Sequence, residues 1–213
     1  MAKGPVVILV LVLSTLLGPA VRATQSEHQH VSPPEAAPLA NAGGGSHTIP
    51  DLRLVNQNGE TVRFSDLIKG KVFAVNSIFT SCATICPLMG VNFARLEKLL
   101  GTHMDQDVVL ISVSVDPTND TPAALKTWQA KFHGGKGWTL LTGSKSQVDQ
   151  LLRALGLPSA DKNRHSSTLL VGGPLGWTRM DALDSPVTVA EKINEQIAAQ
   201  RGGEKQNNPG GAQ

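Results

Sequence analysis

Between residues 49 and 200, short apolar runs rich in β-branched residues alternate with stretches whose apolar positions recur every three or four residues. Leu52 to Val55 and Thr61 to Phe64 flank Asn58-Gly59, a dipeptide suited to positive φ, and so predict a β-hairpin. Ser65 is placed to cap a short turn through Ile68. Val72 to Phe79 is apolar without alternation, the pattern of a central strand covered on both faces. Pro87 suits the first turn of a helix, in which Met89, Phe93, Leu96 and Leu100 keep helical spacing until Gly101 ends the run.

Val108 to Val115 is a second β-branched strand, stopped by Asp116-Pro117. Thr121 and Pro122 read as the N-cap and first position of a helix through Phe132, and Trp138 to Leu141 as a short strand. Ser144 with Gln147 forms a capping-box pattern for a helix ending near Gly156. Thr168 to Val171 and Trp177 to Met180 are hairpin partners across Gly172-Gly173-Pro174, and Val189, Ile193 and Ile197 give the last helix its apolar stripe. From Gly202 the chain is polar and glycine-rich, so residues 201–213 are expected to be a disordered tail. This order predicts a three-layer α/β domain over residues 49–200, with crossover-linked parallel strands, an N-terminal β-hairpin and a terminal antiparallel hairpin.

One stretch carries the chemistry. Phe79-Thr80-Ser81-Cys82-Ala83-Thr84-Ile85-Cys86-Pro87 joins the first central strand to its helix and holds the only two cysteines. The expected helix start puts Cys86 at the helix mouth, where unpaired N–H groups and the positive end of the dipole favour thiolate. The C-x-x-x-C spacing around one turn permits either a Cys82–Cys86 disulfide or shared ligation of one metal ion. Functional groups in such sheets gather beyond the carboxyl ends of the strands, where this loop falls. Two thiolates make a soft site that suits Cu(I) and also accepts zinc.

A third, harder ligand would come from a histidine. His103 and His133 follow helix ends and read as loop residues, whereas His165 precedes the Thr168 strand, in a loop that can approach the cysteines from a neighbouring connection. Met89 could offer a thioether, but its spacing with Phe93 and Leu96 places it in the core. Asp116 could hydrogen-bond near the site, with turn formation beside Pro117 an equal explanation.

Composition changes the picture mainly at the termini. With 19 basic and 17 acidic residues and a net charge of +2, the chain has no basic field for nucleic acid. Lys3, the apolar run from Val6 to Leu17 and the Val21-Arg22-Ala23 pattern predict an export signal over residues 1–23, or an uncleaved anchor giving membrane attachment. Residues 24–48 are rich in Ala, Pro, Ser and Gly and read as a flexible linker. His28, His30 and His47 in or beside it are either a metal-capturing tract or solvated side chains. Export to an oxidising compartment, the periplasm or the outer face of the inner membrane, would close the cysteine pair unless a reductant or metal keeps it open.

Three signatures in order, Phe79-Thr80-Ser81-Cys82 through Cys86-Pro87, Ser112-Val113-Ser114-Val115-Asp116-Pro117 with Asp120-Thr121-Pro122, and His165-Ser166, resemble the Sco/SenC family of thioredoxin-like copper proteins. The resemblance implies a thioredoxin-like fold and Cys82, Cys86 and His165 as copper ligands. It also implies, as partner, the copper-bearing subunit of cytochrome c oxidase or another copper or thiol client, with a thiol reductant serving the pair. Ala83, where many members have proline, and Arg164, where an acidic residue is common, depart from the family pattern. The alternative is a thiol-disulfide oxidoreductase without a copper role, with Cys82 as the attacking thiol. A thiol peroxidase is disfavoured because no arginine neighbours Cys82 in sequence.

Overall fold

A computed structural model of the chain describes Met1 and residues 49–157 and 166–207. The expected export signal (1–23) and linker (24–48), with His28, His30 and His47, lie outside the described residues, as does His165. None of the described helices is long and apolar enough to cross a membrane.

The elements run β1 (Arg53–Asn56), β2 (Thr61–Arg63), α1 (Phe64–Ile68), β3 (Val72–Ile78), α2 (Ile85–Leu100), β4 (Val108–Ser114), α3 (Pro122–Ala130), β5 (Trp138–Thr142), α4 (Lys145–Ala154), β6 (Thr168–Gly173), β7 (Gly176–Asp181) and α5 (Pro186–Asn207). They form one mixed seven-stranded sheet in the order β2-β1-β5-β4-β3-β6-β7. The central strands β3, β4 and β5 are parallel, while β1 joins β5, and β6 joins β3, antiparallel. The three-layer α/β architecture with its N-terminal hairpin is therefore present.

Strand alternation sorts the core into two layers. Val72, Ala74 and Ile78 of β3 and Val108 and Leu110 of β4 face α2, α3 and α5, while Phe73, Val75, Val109, Ile111 and Val113 face α1 and α4. Full burial of a side chain of this size contributes about 1.5–3 kcal/mol, so both faces of the sheet are needed to hold the fold. The α2 face closes on an aromatic group in which Trp138 lies 5.5 Å from Phe93 and 5.8 Å from Trp128.

Several local signals act as their chemistry requires. The Asn56 side chain accepts the N–H groups of Asn58 and Glu60, and Gly59 takes φ +83 in the hairpin. Thr121 caps α3 by accepting the Ala124 N–H, and Ser144 and Gln147 form the capping box of α4. Other boundaries differ from expectation. Ser65 lies inside α1, whose N-cap is Arg63 without a side-chain cap bond. β6 runs through Gly173, so the hairpin turns later, at Pro174-Leu175. Nor does the chain lose order at Gly202: α5 continues to Asn207. Its end is tied down just before the glycines, where Gln200 donates to the Gly70 carbonyl at 2.6 Å and Arg201 to the Asp107 carboxylate at 2.7 Å. Hydrogen bonding from His103 and then Arg201 holds the Asp107 carboxyl below its usual range.

The sheet also carries a buried polar seam toward the carboxyl ends of its strands. Trp138 Nε1 donates to Ser112 Oγ at 2.9 Å, which donates to Asn76 Oδ1 at 2.7 Å. Ser112→Ala is expected to destabilise the protein by about 1–3 kcal/mol in urea unfolding, because it strands an indole N–H and an amide oxygen in the core; a change within ~0.5 kcal/mol would show that the seam is not needed.

Candidate dithiol site at the N-terminus of helix α2

After Ile78 the chain leaves β3, and Cys82 N–H bonds back to the Phe79 carbonyl at 3.1 Å, closing a turn. Helix α2 begins at Ile85, two residues earlier than Pro87 suggests. Pro87 is still within the first turn, where the N–H that proline lacks has no intrahelical acceptor. The shift exchanges the roles of the two sulfurs. Cys86 is not at the helix mouth but inside the first turn, fully buried among Ile78, Met89 and Phe93. Cys82, partly exposed, takes the place in front of the helix.

The electrostatics follow from that placement. Thr84, the N-cap residue, makes no side-chain bond to its own helix, and its hydroxyl lies 3.5 Å from Cys82 Sγ. Partial burial alone would raise the Cys82 thiol. Bonds from the Thr84 hydroxyl, the backbone N–H groups of Cys86 and Thr84, and the Cys86 thiol outweigh it and bring Cys82 down to about 7. Cys86 goes the other way. Burial pushes it up to about 12, only partly offset by the Phe79 N–H, with its bond to Cys82 and the charges of Cys82 and Asp120 adding to the rise. In the reduced pair Cys82 thus ionises around neutral pH, accepting a hydrogen bond from a Cys86 thiol that keeps its proton.

The loop is held by Asp120, a residue of the second sequence signature to which no role was assigned from sequence. Its fully buried carboxylate accepts the Thr80 hydroxyl at 2.5 Å, the Thr80 N–H at 3.2 Å and the Ser114 hydroxyl at 2.5 Å. Asp116, the carboxylate that the sequence points to, instead accepts the Asn119 amide at 2.9 and 3.0 Å and closes its own turn. A clue lay in Asp120 standing one residue before a competent N-cap, a position where its own carboxylate is not required for the helix.

The other candidates separate from the pair. Met89 is fully buried in the core. His103 lies beyond the far end of α2, about 24 Å along a helix of 16 residues, with Nδ1 2.7 Å from Asp107 Oδ2. His133 is exposed after α3, with φ +58. No cluster of three or more His, Cys, Asp or Glu side chains suited to a metal occurs among the described residues. The entry to β6 does reach this end of the sheet: β6 runs antiparallel to β3 with Leu169 opposite Asn76, so Ser166 and Ser167 lie toward the Phe79 side.

A family model described as SCO1/SenC matches residues 40–197. The chain is 41% identical over 144 residues to the SCO1 protein homolog of Bacillus subtilis (strain 168), covering 64% of this chain and 74% of that protein. It is 32% identical over 139 residues to a Stutzerimonas stutzeri protein carrying a copper-binding name, covering 62% of this chain and 67% of that one. The solved structure of BsSco, described as a member of the Sco family of cytochrome c oxidase assembly proteins with a disulfide switch, superposes with a TM-score of 0.60 at 28% identity, over 70% of this chain and 93% of that one. The fold is accordingly thioredoxin-like.

The split between the sulfurs is measurable. Alkylation of the native protein by iodoacetamide should label Cys82 with a rate that rises through about pH 7, with Cys86 inert in that range. Thr84→Val should move the midpoint upward. The folded Cys82 holds fewer protons than the unfolded thiol between about 7 and its ordinary 9.0, so stability should rise with pH there. Above 9.0 the folded Cys86 keeps a proton that the unfolded chain loses, so stability should fall. Equal labelling of both thiols would contradict the assignment.

Proposed function

Because the chain belongs to the SCO1/SenC family, we propose that it is an exported copper-binding protein. On this reading it carries copper on Cys82, Cys86 and His165 to the copper centre of a respiratory cytochrome c oxidase or keeps the thiols of that centre reduced. The observation that carries this reading is the paired sulfurs at the head of α2, one ionised near neutrality and reachable by a partner, the other buried behind it. Two such donors suit a soft ion, and a bare pair leaves a coordination position for a third ligand. The antiparallel return of β6, which leads from Ser166 at the same end of the sheet, supports His165 as that ligand. Export is supported by the charged and apolar leader, and the same leader supports attachment to the outer face of the inner membrane where it is retained.

The chain's own contribution to copper transfer is to present a thiolate without prior deprotonation. Cys82 is the first sulfur to engage, and Cys86 follows once its proton has left. An incoming protein ligand would likewise meet the outer sulfur, Cys82, first.

The asymmetry of the sulfurs also favours a second reading, in which the pair acts as a thiol-disulfide oxidoreductase. The Cys82 thiolate would attack a client disulfide, forming a mixed disulfide and expelling one client thiolate. Cys86 would then lose its proton and displace the second client thiolate, leaving Cys82–Cys86 oxidised by two electrons and the client reduced by two. A thiol reductant must restore the pair.

Two measurements decide between them. The reduced full-length protein should bind one equivalent of Cu(I). His165→Ala should weaken that binding about tenfold or more while leaving reduction of a model disulfide intact. Unchanged binding would remove His165 from the site. Loading should release two protons per copper below about pH 7 and one above it, because only Cys86 remains protonated there. A pH-independent affinity would exclude ligation by both sulfurs.

A further inference from the structure

We propose that Asp120 is a positioning residue of the dithiol site, tethering the Cys82 loop through Thr80 and supplying a fixed negative charge that biases the site toward the divalent rather than the monovalent copper ion. This rests on the copper reading above. Three observations carry it.

The first is that Asp120 is surplus to local structure. Thr121 caps α3, and Asp116 with Asn119 closes the preceding turn, so neither the helix nor the turn uses the Asp120 side chain. Its carboxylate instead reaches forty residues back in sequence, to both the N–H and the hydroxyl of Thr80, two residues before Cys82. Among the described residues no other hydrogen bond competes for that hydroxyl.

The second is the direction of its hydrogen bonds. Ser114 Oγ accepts the Asp116 N–H at 3.1 Å, so the single hydroxyl proton of Ser114 is free to go to Asp120 Oδ2 at 2.5 Å. Both oxygens therefore receive donors, the pattern of an ionised carboxylate.

The third is that the charge is incompletely compensated. Asp120 is fully buried, its donors are all neutral, and among the described residues no lysine, arginine or histidine is paired with it. A buried carboxylate held only by neutral dipoles costs several kcal/mol relative to water, and a nearby cation offsets that cost. Its field reaches the site, because the Thr80 it binds through both N–H and hydroxyl stands only two residues before Cys82.

Charge counting gives the consequence. Two thiolates and a neutral imidazole leave a monovalent ion with a net charge of −1 and a divalent ion with none. An additional fixed negative charge nearby attracts the divalent ion about twice as strongly as the monovalent one at equal distance. The carboxylate therefore favours Cu(II) over Cu(I) and lowers the potential of bound copper.

Anaerobic competition titrations of the reduced full-length protein with Cu(I) and with Cu(II) test this. Asp120→Asn keeps an acceptor for Thr80 but removes the charge. It should weaken Cu(II) about tenfold more than Cu(I), a rise of about 59 mV in the potential of the bound ion. Ser114→Ala removes a donor and leaves the charge less compensated, so it should shift the ratio the opposite way, by about twofold. In the metal-free protein, both variants should speed amide exchange at Thr80. Equal weakening of both ions by Asp120→Asn, or a shift of the same sign in Ser114→Ala, would overturn the proposal. If Asp120→Asn does not fold, the sign in Ser114→Ala decides alone. A wild-type protein that binds neither ion overturns the copper reading itself and this inference with it.

Discussion

The parallel pairing of β3 with β4 is the constraint on which the site depends. Ile78 lies beside Ser114 at the last rung, and the Val115 N–H continues the ladder to the Ile78 carbonyl at 2.9 Å. Two strands that end level send their following loops out side by side, which is how Thr80 comes to meet Asp120 across forty residues. The antiparallel strand β6 then starts from the same end of the sheet, on the other side of β3. The region beyond the carboxyl ends of strands is where such sheets gather their chemistry, and here the loops after β3 and β4 meet there. Slipping β4 by one residue would move its entire side-chain set to the opposite face and break the Ser114–Asp120–Thr80 chain at the same time.

The spacing of the cysteines does the rest. Four positions apart across a helix start, they cannot occupy equivalent environments, because the helix begins between them. The outer sulfur becomes an acceptor for first-turn N–H groups and for the N-cap hydroxyl, in the role that a serine or aspartate oxygen usually fills. The inner sulfur points into the layer built by Ile78, Met89 and Phe93, where a negative charge would lose its hydration. The macrodipole argument made from Pro87 thus holds for the helix but attaches to Cys82 instead of Cys86.

Most of the fold could be read from apolar spacing and punctuation. The largely apolar runs of β3 and β4, the Asn58-Gly59 turn, the Thr121-Pro122 start and the Ser144/Gln147 box each carry a local physical rule, and each element is present. What could not be read was set by contacts distant in sequence. Gly202 looks like a stop, but α5 passes it after Gln200 and Arg201 have been anchored to Gly70 and Asp107, 130 and 94 residues away. Asp116 and Asp120 look alike in sequence, and only the register of β3 against β4 assigns the turn to one and the cysteine loop to the other. The pair itself was legible because C-x-x-x-C at a strand-to-helix junction is a local pattern. The supporting shell of Thr80, Thr84 and Ser114 was not, since hydroxyl residues in loops have many uses.

The fold also imposes an order on whatever chemistry the pair performs. A sulfur that ionises near neutrality and is partly exposed reacts first with any electrophile or soft cation that arrives from solvent. The second sulfur is screened by the core and keeps its proton, so it engages only after the first bond has brought the reacting atom within reach. Copper uptake and disulfide exchange place the same demand on the protein, namely a ready outer donor and a reserve inner one. A dithiol that forms its internal bond gives up both donors together, which ties cargo binding to redox state through the same two atoms. The buried carboxylate behind the loop belongs to the same logic, because it holds the outer sulfur in place from a position that a partner cannot touch.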